Sequence, residues 1–520
     1  MQRIHHQLNT KSTPFEKHLE LANLRQRNEH LYYAFIIANM REALPLVYTP
    51  TVGEACQKFS YIFRRPEGLT ITIEDKGSVD SVVANWPRPR DTPRVAVITD
   101  GSRILGLGDL GWNGLGICIG KLSLYVAGAG VHPQSTLPIV VDVGTNTEHY
   151  LNDPLYLGLR RKRPSDQELV EFVDEVMHAL HSRYPNLVIQ FEDWSGEHAF
   201  LFLERYQNKF PMFNDDIQGT GAVILGGFIS AARLSAAASG LAEEDQRVLF
   251  VGSGSAAIGV AKQLMSFFMR HGFTEEQAKA RIWTTDTHGL VTANRGDKLA
   301  AHKEYFARHD NGDKQFKELI DIVEYVKPTA IFGLSTVPGT FDERVLRKMA
   351  ELNKSPIIFP LSNPTSKSEC TFAEALEYTD GRAIFAAGSP FDDIEFKGQR
   401  RFADQGNNFY VFPAIGLAGA LTRASRITER VITESAYALA DSMTEDEVKQ
   451  GRIYPLMERT RDISAYIAFR CVKIINELGF ARDDGLTASK SDEELQKWIQ
   501  QEMWSPVELS LIHISEPTRQ

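Results

Sequence analysis

The chain has 520 residues, of which 43% are hydrophobic and 24% charged, and a net charge of −10. It is long enough for two or three domains with sizeable cores, and it has no basic tract interleaved with aromatics, which argues against nucleic acid as a partner. Cys56, Cys118, Cys370 and Cys471 lie far apart with no CxxC, which points to buried thiols in a reduced compartment and away from zinc or a disulfide framework.

Residues 15–47 carry apolar side chains at three- and four-residue spacing and read as helices, after which Tyr48, Pro50 and Gly53 mark a loop. No signal or transit pattern precedes them. From residue 94 follow a strand at 95–98, a turn at Asp100 and Gly101, a glycine-rich loop, an apolar helix after Gly120 and a strand at 137–143, a βαβ-like unit. An amphipathic helix is expected over 166–184 and a short strand at 187–191. Residues 221–241, interrupted by Arg233 and rich in Gly, Ala and Ser, read as a core helix, so no membrane span is expected.

Further strands are expected at 247–251, 281–286, 330–333, 356–360 and 383–386, alternating with helices, as in a doubly wound parallel sheet. Several end in loops carrying Ser, Asn or Gly, at Ser335, Ser362, Asn363 and Ser389, where ligands of such sheets bind. Residues from Thr444 onward read as mostly helical. The final residues, 510–520, have the character of a translated sequencing-adaptor tail.

Two glycine motifs compete for a dinucleotide. Gly106-Leu107-Gly108-Asp109-Leu110-Gly111 matches GxGxxG literally, yet it places Asp109 where a pyrophosphate would meet a like charge and does not leave a strand directly. Gly252-Ser253-Gly254-Ser255-Ala256-Ala257 leaves an apolar strand and opens a helix, whose N–H groups and dipole suit phosphate. The second is therefore the expected cofactor turn, through Gly252, Gly254 and Ala257. Asp286, at the end of the next strand, is the expected ribose acceptor. Thr287 follows it, and Arg295, Lys298 and Lys303 lie downstream where a cation could meet a 2′-phosphate, so these residues alone leave NAD and NADP open.

Two acidic clusters precede this unit, Gln190-Phe191-Glu192-Asp193-Trp194 and Phe213-Asn214-Asp215-Asp216-Ile217. Carboxylates among aromatic residues are costly to bury without a compensating cation, and Glu192, Asp193, Asp215 and Asp216 offer hard oxygens suited to Mg²⁺ or Mn²⁺. One of the two adjacent aspartates could serve as an N-cap, but a pair exceeds what a cap requires. Taken alone, Tyr48 reads as a packing residue, Lys121 as a surface charge and Asn407-Asn408 as a turn.

The segments Tyr48-Thr49-Pro50-Thr51-Val52-Gly53, Thr99-Asp100-Gly101-Ser102-Arg103-Ile104-Leu105-Gly106, Gly120-Lys121-Leu122, the two acidic clusters, Leu361-Ser362-Asn363-Pro364-Thr365 and Gln405-Gly406-Asn407-Asn408 resemble malic enzyme, in order from about residue 15 to 505. The resemblance implies an α/β fold: a mainly helical and α/β N-terminal catalytic domain over 1–214, a doubly wound Rossmann-type domain over 215–475, and a helical C-terminal segment over 476–509. It also implies chain missing before Met1. The implied activity is divalent-metal-dependent oxidative decarboxylation of L-malate to pyruvate and CO₂, with reduction of NADP or NAD. Carried over by position, Glu192, Asp193 and Asp216 are metal ligands and Arg103, Asn363 and Asn408 bind substrate, Asn363 also facing the cofactor. Lys121 is the general base tuned by Asp215, and Tyr48 is the general acid.

Thr287 and Lys303 resemble the small hydroxyl residue and lysine of NADP-preferring members, and the stretch 289–310 is most similar to fungal ones. Arg3 and Arg27 resemble arginines that bind fumarate in some animal mitochondrial members. The family also implies a homotetramer or homodimer. A cytoplasmic location is expected, with the mitochondrial matrix as the alternative. Rival readings are an NAD-preferring malic enzyme, a two-domain amino-acid dehydrogenase, which needs no carboxylate trio, and an inert dinucleotide-binding scaffold, which needs neither Tyr48 nor Lys121.

Overall fold

A computed structural model describes residues 1–506 apart from 66, 87–91 and 297–298. The adaptor-like tail at 510–520 and Lys298 lie outside the described residues. The chain forms two compact units, the first comprising Met1–Asp216, Phe412–Ile432 and the residues from Met457 onward, the second Ile217–Val411 and Thr433–Leu456.

The first unit opens with helices Gln2–Asn9, Pro14–Arg27, Glu29–Ala38 and Met40–Val47. The Pro14–Arg27 helix starts at a reciprocal capping box between Thr13 and Glu16 with proline in its first turn, which satisfies donors that the helix itself leaves free. Residues 48–53 are not wholly a loop: Pro50 caps a further helix, Thr51–Gln57, since proline is tolerated where no intrahelical N–H is needed. Behind these helices lies a five-stranded sheet of β1 (Leu69–Thr72), β2 (Val95–Thr99), β3 (Thr136–Asp142), β4 (Val188–Phe191) and β5 (Met212–Asn214), ordered β1-β3-β2-β4-β5 and parallel throughout. β5 was not legible from alternation, because it is three residues long and buried throughout, while β1 alternates over only four residues.

The strand register positions the acidic clusters. Ile98 pairs with Phe191 and Phe191 with Asn214, so Glu192 and Asp215 each follow immediately on neighbouring strands at the same level. The helix Leu115–Ala129, buried along its whole length, covers β2 and β3, and it ends at Gly130 in the left-handed conformation. Helices Phe412–Leu421 and Thr460–Glu477 pack against it. Packing thus returns residues 412–432 and the described residues from Met457 to the first unit.

The second unit holds β6 (Val248–Val251), β7 (Ile282–Asp286), β8 (Gly289–Leu290), β9 (Ala330–Gly333), β10 (Ile357–Pro360), β11 (Ile384–Ala387) and β14 (Asp404–Gln405), ordered β14-β11-β10-β9-β6-β7-β8. β12 (Ile394–Phe396) and β13 (Gln399–Arg401) make a separate hairpin. All pairs in the large sheet are parallel except β7 with β8. The order reverses between β6 and β9, the switch point at which doubly wound sheets bind ligands. The helix Thr220–Ser239 is apolar and mostly buried, as the composition of this stretch implies. All four cysteines are buried, and none is in a disulfide.

Candidate active site

Lys121 is almost wholly buried, in the middle of the Leu115–Ala129 helix. Its Nζ lies 3.0 Å from Glu192 Oε1 and donates a short hydrogen bond to Asp215 Oδ2. Burial works against the ammonium, but the carboxylates of Asp215 and Glu192 outweigh it and push the lysine pKa well above its usual value. Burial alone would favour the neutral amine; the two carboxylates hold the proton on it.

Tyr48 caps the Met40–Val47 helix and is buried, with its ring 5.1 Å from Lys121 Nζ, while Phe412 covers the ammonium at 4.4 Å. Gly120 makes this approach possible, for a side chain there would meet Val47 O at 3.2 Å and Tyr48 at 3.6 Å. Burial, opposed by the Lys121 charge, raises the Tyr48 pKa and keeps the phenol protonated.

Glu192, Asp193 and Asp216 bring one oxygen each within 4.8 Å of one another. Burial and mutual repulsion raise the pKa of Glu192 and Asp193 far above the carboxylate range, and burial raises Asp216 to about 6. Asp193 Oδ2 is buried without a hydrogen-bond partner among the described residues. Three oxygen donors that repel one another, one of them unsatisfied, fit a hard divalent cation. The other Glu192 oxygen accepts from Gln190 Nε2 at 2.7 Å, and Tyr125 OH donates to Gln190 Oε1 at 2.5 Å, fixing the carboxylate from behind. Neither Gln190 nor Tyr125 stood out in the sequence as part of a site.

Asp193 adopts φ of +54°, an unusual value for a residue with a side chain. Its N–H donates to Asp216 Oδ2 at 2.7 Å, and its carbonyl accepts from the Arg103 N–H at 3.2 Å. Arg103 is exposed, on the loop after β2. Asp215 and Asp216 open a π-helical turn, Asp215–Gly219, ahead of the Thr220–Ser239 helix, where the sequence offered an N-cap as one reading for one of the pair.

In the second unit, Gly252 ends β6 with φ of +119°, and a Cβ there would stand 2.5 Å from Leu334 O, so only glycine allows the loops after β6 and β9 to pass this closely. Gly254 caps the Ser255–Arg270 helix, and Ala257 is buried against its packing face. The buried Ser253 hydroxyl has no partner among the described residues, consistent with a turn that waits for a phosphate. Asp286 does not stand free as a ribose acceptor. Arg295 grips it in a fork at 2.8 and 2.9 Å, and Lys303 Nζ adds a third contact at 2.8 Å. Two cations on one carboxylate make the end of β7 net positive, with exposed Thr287 beside it.

Asn363, exposed after β10, accepts from Ser389 Oγ at 3.3 Å, and Asn408 donates to Thr220 Oγ1 at 3.0 Å. Both belong to the second unit. Beneath the Asn363 loop, the buried Glu369 carboxylate accepts from the Ser335 N–H and the Ser335 and Ser362 hydroxyls, tying the loops after β9 and β10 together.

The family models described as "Malic enzyme, N-terminal domain" and "Malic enzyme, NAD binding domain" match residues 25–207 and 217–476. The chain belongs to the malic enzyme family. It is 46% identical to the NADP-dependent malic enzyme of Dictyostelium discoideum over 91% of this chain and 85% of that one. It is 44% identical to the NADP-dependent malic enzyme of Sus scrofa over 89% of this chain and 82% of that one. Among solved structures, the malic enzyme of Entamoeba histolytica shares the fold with a TM-score of 0.61 at 21% identity, covering 99% of this chain and 91% of that one. Malic enzymes are oxidoreductases, so the inert-scaffold and amino-acid-dehydrogenase readings fall away.

Proposed function

We propose that the protein catalyses oxidative decarboxylation of L-malate to pyruvate and CO₂, with a divalent cation on Glu192, Asp193 and Asp216 and with NADP as the preferred acceptor. The observation that carries this is the buried Lys121, paired at once with Asp215 and with the metal-site carboxylate Glu192. A merely structural lysine does not need a triad of mutually repelling carboxylates beside it.

When bound, the cation supplies charge that acidifies a chelated hydroxyl, and the oxidised nicotinamide supplies the hydride acceptor. Arg103, on the loop that touches Asp193, binds a malate carboxylate and orients the substrate. Lys121 takes the C2 hydroxyl proton, which requires the amine to be neutral; a cation drawing on Glu192 would weaken the carboxylate charge that keeps it protonated. After CO₂ leaves, Tyr48 delivers a proton to C3 of the enolpyruvate, and Lys121, beside its ring, returns the proton first taken from malate. Asp215 holds the Lys121 ammonium in place between these steps.

NADP preference is supported by the paired cations Arg295 and Lys303 on Asp286, which leave a net positive site for a 2′-phosphate, and by relatives named as NADP-dependent. The test is absorbance of reduced nicotinamide with L-malate and Mn²⁺, comparing NADP with NAD and each with chelator. Chelator-sensitive reduction, faster with NADP and yielding pyruvate, is the expected result. Reduction that survives chelator removes the metal role, and faster reduction of NAD reverses the cofactor preference.

A further inference from the structure

Arg163 lies just ahead of the helix Asp166–Arg183 and has no part in the chemistry above. Its guanidinium donates four hydrogen bonds: to Asp100 Oδ2 at 2.9 Å, to Asp100 O at 2.9 Å, and to Asp109 Oδ1 and Oδ2 at 2.8 and 3.1 Å. Burial opposes the charge, but Asp100 and Asp109 outweigh it, so the arginine stays ionised. These two aspartates stand at opposite ends of the loop that leaves β2 and carries the literal GxGxxG.

The loop closes on itself at the same place. Gly101, at φ of +69°, sits so close that a Cβ would lie 1.9 Å from Gly111 O, and the N–H groups of Leu110 and Gly111 both donate to Gly101 O. Between these ends the Ile104 N–H donates to Gly108 O, making a small internal turn, and among the described residues no atom outside the local chain lies within 4 Å of where a Cβ on Gly106 or Gly108 would be. The strap is thus open at Gly106 and Gly108, while Ile104 and Leu110 anchor it by burial.

From Arg163 a hydrogen-bonded path runs to the metal-site loop. Asp100 Oδ1 accepts from Ser102 N–H and Oγ, and Ser102 Oγ accepts from the Ser195 N–H at 2.7 Å. The next residue, Arg103, donates its N–H to Asp193 O. The Ser102-Arg103 segment is therefore stitched to residues 193–195, and it helps to hold the left-handed backbone of Asp193.

We infer that Arg163 is a positioning residue that closes the loop 100–111 and so sets both the malate-binding Arg103 and the metal ligand Asp193. The first glycine motif is then the strap of this clamp and not a phosphate cradle. Only a planar five-donor fork serves both carboxylates and the Asp100 carbonyl at once, which a lysine cannot do. This inference rests on the malate-oxidising reading for Arg103, but its effect on the metal site can be measured without turnover.

The experiment compares Arg163→Met, Arg163→Lys and Asp109→Asn with wild type for KM of malate, KM of NADP, Mn²⁺ binding followed by the electron paramagnetic resonance of free Mn²⁺, and circular dichroism. Arg163→Met is expected to raise the KM of malate and weaken Mn²⁺ binding by roughly tenfold each while leaving the KM of NADP within about twofold. Arg163→Lys should recover only part of this, and millimolar guanidinium should restore much of the loss in Arg163→Met. A folded Arg163→Met with unchanged malate and Mn²⁺ values overturns the inference, as does an equal loss for NADP. If Arg163→Met does not fold, Asp109→Asn decides: a rise in malate KM with constant NADP KM upholds the clamp, and unchanged values overturn it. A wild type that shows no malate-dependent reduction sinks the functional reading alone, because the Mn²⁺ comparison still reports on the clamp.

Discussion

Lys121 Nζ stands 3.0 Å from Glu192 Oε1, so the proposed base and a proposed metal ligand share one ion pair. Metal binding and the charge state of the lysine are therefore linked. A cation that draws on Glu192 weakens the hold of the carboxylates on the lysine proton, and a protonated lysine competes with the cation for the same oxygen.

Metal affinity should depend on pH in a defined direction. Glu192 and Asp193 have raised carboxyl pKa values, and Asp216 rises to about 6, all mainly through burial. As pH falls through about 6, Asp216 takes up a proton that a cation must displace, so Mn²⁺ affinity should fall by about tenfold per pH unit for that proton. The stability sign is opposite for the ion-free protein: raised carboxyl pKa values favour folding at low pH and cost stability as pH rises through them. Chelator should therefore lower Tm more above pH 6 than below it. A chelator effect on Tm that is equal on both sides would remove these three residues as the metal site.

Replacing Lys121 with Met should lower kcat by about 10²–10⁴, the range for a lost general base, while cofactor binding stays unchanged. Without added metal the variant should also lose stability, on the order of 3 kcal/mol, because Glu192 and Asp215 lose a buried partner. Mn²⁺ should restore more Tm to this variant than to wild type. Loss of NADP binding together with turnover would instead mark Lys121 as a structural lysine.

The parts of this site legible in the sequence were those where local chain chemistry suffices. The Gly252 turn was separable from the Gly106 motif because it leaves a strand and opens a helix, whereas Asp109 would repel phosphate; the structure gives Asp109 to Arg163 instead. Carboxylates at strand ends were likewise visible as clusters. The pairing of Arg163 with Asp100 and Asp109 bridges separations of 63 and 54 residues, and no local pattern encodes it. The same holds for the Tyr125–Gln190–Glu192 support and for the grip of Arg295 and Lys303 on Asp286, which only the turn after β7 brings together. Helix Thr460–Glu477 lies in the stretch from Thr444 that reads as helical, but its return to the first unit, like that of helix Phe412–Leu421, is a matter of tertiary packing.

Lys303→Ala tests the cofactor site. The variant should raise the KM of NADP by roughly tenfold and leave that of NAD within about twofold, since a 2′-phosphate loses one cation while Arg295 continues to neutralise Asp286. Equal effects on both cofactors would place Lys303 in the support of the loop and away from the phosphate.

His18 supplies a stability test remote from the chemistry. On the Pro14–Arg27 helix, its Nδ1–H donates to Leu46 O at 2.8 Å, which ties that helix to the segment leading into Tyr48. Burial, with Arg25 and Arg64 nearby opposing a further positive charge, lowers its pKa from 6.5 to about 4. The folded state therefore binds fewer protons than the unfolded chain across this interval. The stability from a neutral His18 is fully present above 6.5 and is lost as pH falls through about 4. Because the ring is not fully enclosed, the effect should be on the order of 2 kcal/mol. His18→Gln keeps a donor for Leu46 O but cannot titrate, so the difference in unfolding free energy between wild type and variant should shrink by about that amount between pH 6.5 and 4. Since all other titrating groups are common to both proteins, a difference that stays constant across the interval would mean that His18 is protonated in the native state and that the helix is held in some other way.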